Sequence, residues 1–260
     1  MYNVYYKDAN VTLIQGDCIE VMNSLDEKFD LIVTDPPYGA TRNKWDVALP
    51  FAEMWNAINR LREPTTPVCL FGMEPFASRL RLSNVREYKY DWYWRKSHPA
   101  GYLNSKKQPM RSIECISVFY KKQVAYKPQM LTGFAPYKSF KRACCTTNYA
   151  ADKDVWSESD GRRFPINLLS YPSNTGGRLH PTQKPVGIYE YMMKTYTDEG
   201  AKVLDFTCGV GTALIAGLEQ KRKVVGIELS PEYCELAKNR VLEWYKQHEV
   251  TNGEDNTELC

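Results

Sequence analysis

Residues Ala201–Glu228 read AKVLDFTCGVGTALIAGLEQKRKVVGIE, a strand, a glycine loop, a helix and a second strand in unbroken succession. Ala201–Phe206 is an apolar run of strand length, Thr207–Gly211 a loop, Thr212–Glu219 a helix and Lys223–Glu228 a strand. Strand-helix alternation of this kind predicts an α/β fold with a parallel sheet covered on both faces. Gly209 and Gly211 let the backbone approach a ligand and turn into the helix. Glu228, seventeen residues past Gly211, ends the next strand, where a carboxylate can accept hydrogen bonds from both ribose hydroxyls. A nicotinamide or flavin dinucleotide could use the same constellation.

Outward from this stretch the same grammar recurs. Ser230-Pro231-Glu232 opens a last helix running to about Tyr245, with Ser as N-cap, Pro at the first helical position and an acid in the first turn. After His248 the chain is polar and acidic, and a frayed tail is expected. Near the start, Val11–Ile14 is a short strand, followed by Gly16-Asp17-Cys18 and a helix over Ile19–Leu25. Phe29–Thr34 is a second strand that runs straight into Asp35-Pro36-Pro37-Tyr38. A helix over Phe51–Leu61 carries apolar residues at 51, 54, 55, 58 and 61; Pro67–Phe71 is then a strand and Glu74–Leu82 a helix. Between the halves the grammar lapses. Lys121 to Arg178 has no sustained period, yet Tyr126, Phe134, Tyr137, Phe140, Tyr149 and Trp156 argue against plain disorder.

Asp35-Pro36-Pro37-Tyr38 separates the readings of the glycine loop. As a bare turn after a strand it needs no chemistry, but a dinucleotide fold has no use for it beside a cofactor loop. An enzyme that methylates an exocyclic amine does. That nitrogen is conjugated to its ring and is a weak nucleophile. The Asp35 carboxylate can hold one of its hydrogens and the Pro36 carbonyl the other, turning the lone pair towards a methyl donor. The two prolines fix the loop, and Tyr38 offers a face on which a base can stack.

Length and composition agree with a single domain carrying an insertion: 260 residues, 43% hydrophobic. No apolar stretch approaches a membrane span and the first residues show no leader, so a soluble, cytoplasmic protein without membrane attachment is expected. Eight irregularly spaced cysteines include no C-x-x-C pair, and Cys144-Cys145 fits metal-ligand spacing poorly; reduced thiols and no metal are expected. The net charge of +3 is segregated. Residues 89–142 hold twelve Lys or Arg against Asp91 and Glu114, which suggests a surface facing a polyanion as well as a plain solvated face.

In these residues, and in their order, the chain resembles the β-group of S-adenosylmethionine-dependent DNA amino-methyltransferases. The likeness spans nearly the whole chain. It implies a seven-stranded, mostly parallel sheet with helices on both faces, an antiparallel edge hairpin and a permuted motif order. The D-P-P-Y half is residues 1–120, a target-recognition insertion 121–178, the cofactor half 179–248 and a flexible tail 249–260. The resemblance places Asp35, Pro36, Pro37 and Tyr38 at the transfer site. Asp17, with Cys18 beside it, would meet the cofactor's adenine, and Thr182 and Lys184 of His180–Pro185 its methionine end. Asp205, Gly209 and Gly211 would form the glycine loop and Glu228 would bind the ribose. The family's loop carries its aromatic one position later than Phe206, so the loop would bind the cofactor with Phe206, Thr207 or Cys208 as the side chain packed on it. The target nucleotide would flip out of the duplex, and the methyl would pass directly to nitrogen with no metal or covalent intermediate. Lys96, Lys106, Lys107 and Arg111 are candidates for phosphate contacts, and Arg142, Arg162 and Arg163 for base or phosphate contacts. A homodimer and a cognate restriction endonuclease are the further partners the resemblance implies. Asp at the first position of the tetrapeptide favours N6 of adenine over N4 of cytosine. RNA or protein-amide methylation, and a non-catalytic nucleic-acid-binding module, are the remaining alternatives.

Overall fold

The computed structural model describes residues 2–39, 46–143, 153–173 and 183–254. In chain order the first half contains β1 (Asn3–Lys7), β2 (Val11–Gln15), α1 (Cys18–Ser24), β3 (Leu31–Thr34), α2 (Phe51–Arg60), β4 (Val68–Gly72), α3 (Phe76–Ser83), β5 (Tyr88–Ala100) and β6 (Arg111–Phe119). There follow β7 (Tyr137–Lys141), β8 (Val155–Ser159), β9 (Leu168–Tyr171), α4 (Val186–Tyr196), β10 (Lys202–Asp205), α5 (Thr212–Glu219), β11 (Lys223–Glu228) and α6 (Pro231–Glu254). The last helix passes well beyond the end near Tyr245 expected from sequence, and among the described residues no helix is long and apolar enough to cross a membrane.

The main sheet has the order β1-β2-β11-β10-β3-β4-β6-β5-β9. Neighbours from β2 to β4 are parallel, while β6 pairs antiparallel with both β4 and β5. Among the described residues the sheet has nine strands, not the expected seven, because one strand is added at each edge. β1 folds back on β2, and β9 lies parallel to β5, so the β5–β6 hairpin is not at the edge. Tyr93–Lys96 of β5 binds Leu168–Tyr171, a segment expected to belong to the insertion.

Alternation along the strands sorts the core into two layers. Leu31 and Val33 of β3, with Cys69 and Phe71 of β4, face α4, α5 and α6 through Met192, Leu214 and Ala237. Ile32, Val68 and Leu70 face α1, α2 and α3 through Met22, Ile58 and Leu80. β3 and β4 are therefore buried at every position, as parallel strands covered on both faces must be. Each large side chain so enclosed contributes about 1.5–3 kcal/mol. Trp92 and Trp94 are both buried.

A second compact unit spans Pro128–Ile166. Its β7 and β8 pair antiparallel, with Phe140 opposite Trp156 and ring centroids 4.6 Å apart. Arg163 donates to the Ala135 carbonyl at 2.7 Å and lies 4.6 Å from the centre of the Tyr137 ring, tying the unit to itself.

Candidate active site

From β10 the chain crosses through α5 to β11 on one side, and from β3 through α2 to β4 on the other. Chain order thus reverses between β10 and β3, and the crevice at the carboxyl ends of strands at such a point is where α/β sheets bind ligands. Here a cleft of about 1030 Å³ opens, lined by the glycine loop, the D-P-P-Y segment and Lys184.

On the glycine-loop side, Gly209 adopts a left-handed conformation (φ +53), and no atom lies within 4 Å of where a Cβ would stand. Gly211 is also left-handed (φ +75), but a Cβ there would meet Ala237 Cβ at 2.9 Å; its need is packing against α6. Glu228 ties the site together. Its Oε2 accepts from the Gly209 N–H at 2.9 Å, its Oε1 from the Ser230 N–H at 2.8 Å, and its carbonyl from the Gly16 N–H at 3.0 Å. Burial raises its carboxyl pKa, while those N–H groups oppose the rise. Asp17 caps α1 by accepting from the Ile19 and Glu20 N–H groups, and it lines the cleft. Burial pushes the Cys18 thiol up to about 12 and the Cys208 thiol well above its ordinary value, so neither is a nucleophile at neutral pH. Phe206 is buried in the core layer that holds α1, α2 and α3, and it lines the cleft. An open glycine backbone beside a carboxylate, in a deep cleft, fits a nucleoside-bearing cofactor.

The two halves of the site are joined by a buried knot of oxygens. Thr34 Oγ1, at the end of β3, donates to Asp205 Oδ1 at 2.6 Å and lies 2.6 Å from Thr207 Oγ1, which donates to the Asp35 carbonyl at 3.1 Å. Asp205 also accepts from the Thr207 N–H. Burial raises its carboxyl to about 7, partly offset by Thr34 and Thr207. Asp205 therefore holds the D-P-P-Y loop and the glycine loop in register from beneath.

Above the knot sits a chain of alternating charges. Lys184 donates to Asp35 Oδ2 at 2.6 Å and stands 3.2 Å from Glu114 Oε2, and Glu114 also pairs with Lys96. Tyr38 donates to Asp35 Oδ1 at 2.5 Å. Burial drives the Asp35 carboxyl upwards and outweighs the opposing Lys184 ammonium. Glu114 is held below its ordinary value because Lys184 and Lys96 overcome its burial, and Lys184 is raised because its two carboxylate neighbours overcome the same cost.

Of the expected DNA-contacting cations, two are engaged within the protein and the others stand at the surface. Lys96 is committed to Glu114 inside the cleft, not exposed for phosphate. Arg163 is used by carbonyls of its own unit. Arg162 is exposed beside Asp160 at 2.9 Å, and Lys106, Lys107, Arg111 and Arg142 are exposed. Tyr38 already stacks one face on Phe76, with centroids 4.9 Å apart. Thr182 lies outside the described residues. Glu114 and Thr34 were not anticipated. The signal for Glu114 was its place as one of only two acids in a basic segment; both are buried, Asp91 against Arg81 and Ser117.

Glu228→Ala is expected to weaken cofactor binding by about tenfold or more, since it removes acceptors at the cleft and loosens both loops. Calorimetric titration with S-adenosylmethionine, the cofactor the resemblance implies, measures this.

The DNA methylase family profile matches residues 29–239. The YubD protein of Escherichia coli (strain K12) is 36% identical over 234 residues, covering 88% of each chain. The type II methyltransferase M.HpaI of Haemophilus parainfluenzae is 26% identical over 243 residues, 88% of this chain and 73% of that one. In the solved structures, the M1.HpyAVI–SAM complex superposes with a TM-score of 0.60 at 22% identity, over 88% of this chain and 99% of its own. The D-P-P-Y strand, the glycine loop and the acid that closes β11 all fall within the matched residues, and the chain belongs to the DNA methylase family, whose methyl donor is S-adenosylmethionine.

Proposed function

We propose that this chain transfers a methyl group from S-adenosylmethionine to N6 of adenine, in a nucleotide flipped out of duplex DNA. The observation that carries the reading is the Asp35 carboxylate, held at the cleft wall by Lys184 and Tyr38 beside the glycine loop. The bound cofactor supplies an electrophilic methyl, and the protein supplies the geometry. Asp35, with the Pro36 carbonyl, accepts hydrogens from the amine and frees its lone pair from the ring. Thr207 keeps Asp35 fixed relative to the glycine loop. Glu228 and the open backbone at Gly209 would hold the cofactor, with Asp17 near its adenine. Asp rather than Ser at the head of the tetrapeptide supports adenine as the base. The Pro128–Ile166 unit, with exposed Trp156, Phe164 and Arg142, would read the DNA sequence. Likeness to a type II methyltransferase supports a modification role beside a cognate restriction endonuclease. Incubation with labelled S-adenosylmethionine and unmethylated DNA, followed by digestion to nucleosides, tests the base. Label in N6-methyladenine is expected; label in N4-methylcytosine overturns the choice of base, and unlabelled DNA overturns the activity.

A further inference from the structure

We propose that Tyr102 and Leu103, at the tip of the β5–β6 hairpin, form an apolar wedge that enters the DNA base stack and fills the space vacated by the flipped nucleotide. Leu103 is 97% exposed and Tyr102 76%, so neither serves the core. Two adjacent, fully presented apolar side chains on a soluble domain call for a partner surface.

The tip is built rather than frayed. Gly101 takes a left-handed conformation (φ +95) and starts a 3-10 turn over Tyr102–Asn104. The Asn104 N–H donates to the Gly101 carbonyl at 3.0 Å, Ser105 to Tyr102 at 2.9 Å and Lys107 to Asn104 at 2.8 Å. These bonds hold the two side chains outward without help from the core.

Its place in the fold carries it beyond the strand edge at which the cleft opens. Gly72, the last residue of β4, pairs with Cys115 of β6, and the hairpin continues past that edge to Arg111. Those four further residues are about 13 Å of strand. The edge they pass is the one at which Asp35, Asp205 and Glu228 end their strands or follow them. Lys96, His98 and Ala100 on the outgoing arm line the cleft itself, and Arg111 on the returning arm lines a smaller pocket with Tyr38.

The charge of the arm names the partner. Residues 95–111 carry Arg95, Lys96, Lys106, Lys107 and Arg111 and no acid. Of these, Lys96 is neutralised by Glu114, while Lys106, Lys107 and Arg111 are exposed around the tip. Cations that can meet phosphates, around an apolar pair that can replace a lost stacking contact, match duplex DNA with one base removed from its stack.

The inference rests on the flipped-base reading, and the test separates the two. The protein is mixed with a duplex carrying its methylated site, with 2-aminopurine as the target base, and fluorescence reports flipping. Single-turnover transfer is then measured on the natural duplex and on one whose target faces an abasic site. For Tyr102→Ala/Leu103→Ala, flipping should be lost, and transfer to the paired duplex should slow on the order of ten- to a hundredfold. Opposite an abasic site the defect should shrink markedly, because the pairing partner that holds the target base in the duplex is gone. Equal slowing on both duplexes, or no slowing on either, overturns the wedge while leaving base flipping intact. A wild-type protein that methylates without any fluorescence change overturns the flipped-base reading and the wedge with it.

Discussion

Asp35→Ala is expected to lower methyl transfer by on the order of 10³-fold while binding of S-adenosylmethionine persists, because a polar group placed for the reacting centre acts mainly in the transition state. An exocyclic base amine shares its lone pair with the ring, so nucleophilicity depends on acceptors that draw its hydrogens out of conjugation. In the proposed mechanism the Asp35 carboxylate is that acceptor, held in the cleft by Lys184 and Tyr38. Its replacement leaves the Thr34–Asp205–Thr207 knot in place, since that knot holds Asp35 by its backbone carbonyl rather than its carboxylate. The hydrogen bond between Gly209 and Glu228, on the glycine-loop side of the cleft, is likewise untouched. Lys184 loses one partner but keeps Glu114, so the variant should fold. Single-turnover transfer and calorimetric cofactor titration on the same sample check both halves. Loss of cofactor binding alongside loss of transfer would place Asp35 in the cofactor site instead.

The stretches whose order is local were legible before any coordinates. α5 and β11 have the predicted bounds, and β3 does deliver Asp35 at a strand end. Hydrophobic period and glycine chemistry are written in neighbouring residues, so these elements could be read directly. The ends of α1, α2 and α3 moved by one or two residues, as frayed ends do, while α6 ran on to Glu254, past its expected end near Tyr245. What could not be read is what depends on strand order. Thr34 and Asp205 are 171 residues apart and Lys184 and Asp35 are 149 apart; only the placement of β3 between β10 and β4 brings them together. Lys96 was read as a surface cation for the same reason. Its strand looked basic in sequence, and the buried Glu114 that binds it lies across the hairpin on β6. β9 was missed because its four residues are too few to show a period and sit among polar neighbours.

That charge chain yields the second large effect: Lys184→Met is expected to lower transfer at pH 7 by about 10²-fold or more, and to move the acid limb of the pH–rate profile to higher pH. In the proposed mechanism Asp35 works as the carboxylate, a far stronger acceptor for a hydrogen of the amine than the neutral acid. Burial already raises its pKa, and Lys184 is the chief influence pulling it down; the Tyr38 hydroxyl assists, while Glu114 opposes. Asp205 beneath and Tyr189 of α4 add no positive charge. Removing the ammonium therefore raises the Asp35 pKa further, the ionised fraction at neutral pH falls, and activity recovers as the pH is increased. Glu114→Gln should move the limb the other way. It removes the acid that pushes Asp35 up and leaves Lys184 to Asp35 alone, so the carboxylate ionises at lower pH. Its maximal rate should also fall, because an ammonium no longer shared with Glu114 competes harder with the amine for Asp35. Opposite displacements of one limb by two neighbouring substitutions cannot arise from general loosening of the site, which would lower the rate equally at every pH. Parallel profiles for both variants would therefore reduce Lys184 and Glu114 to packing partners and leave Asp35 to be kept ionised by other means.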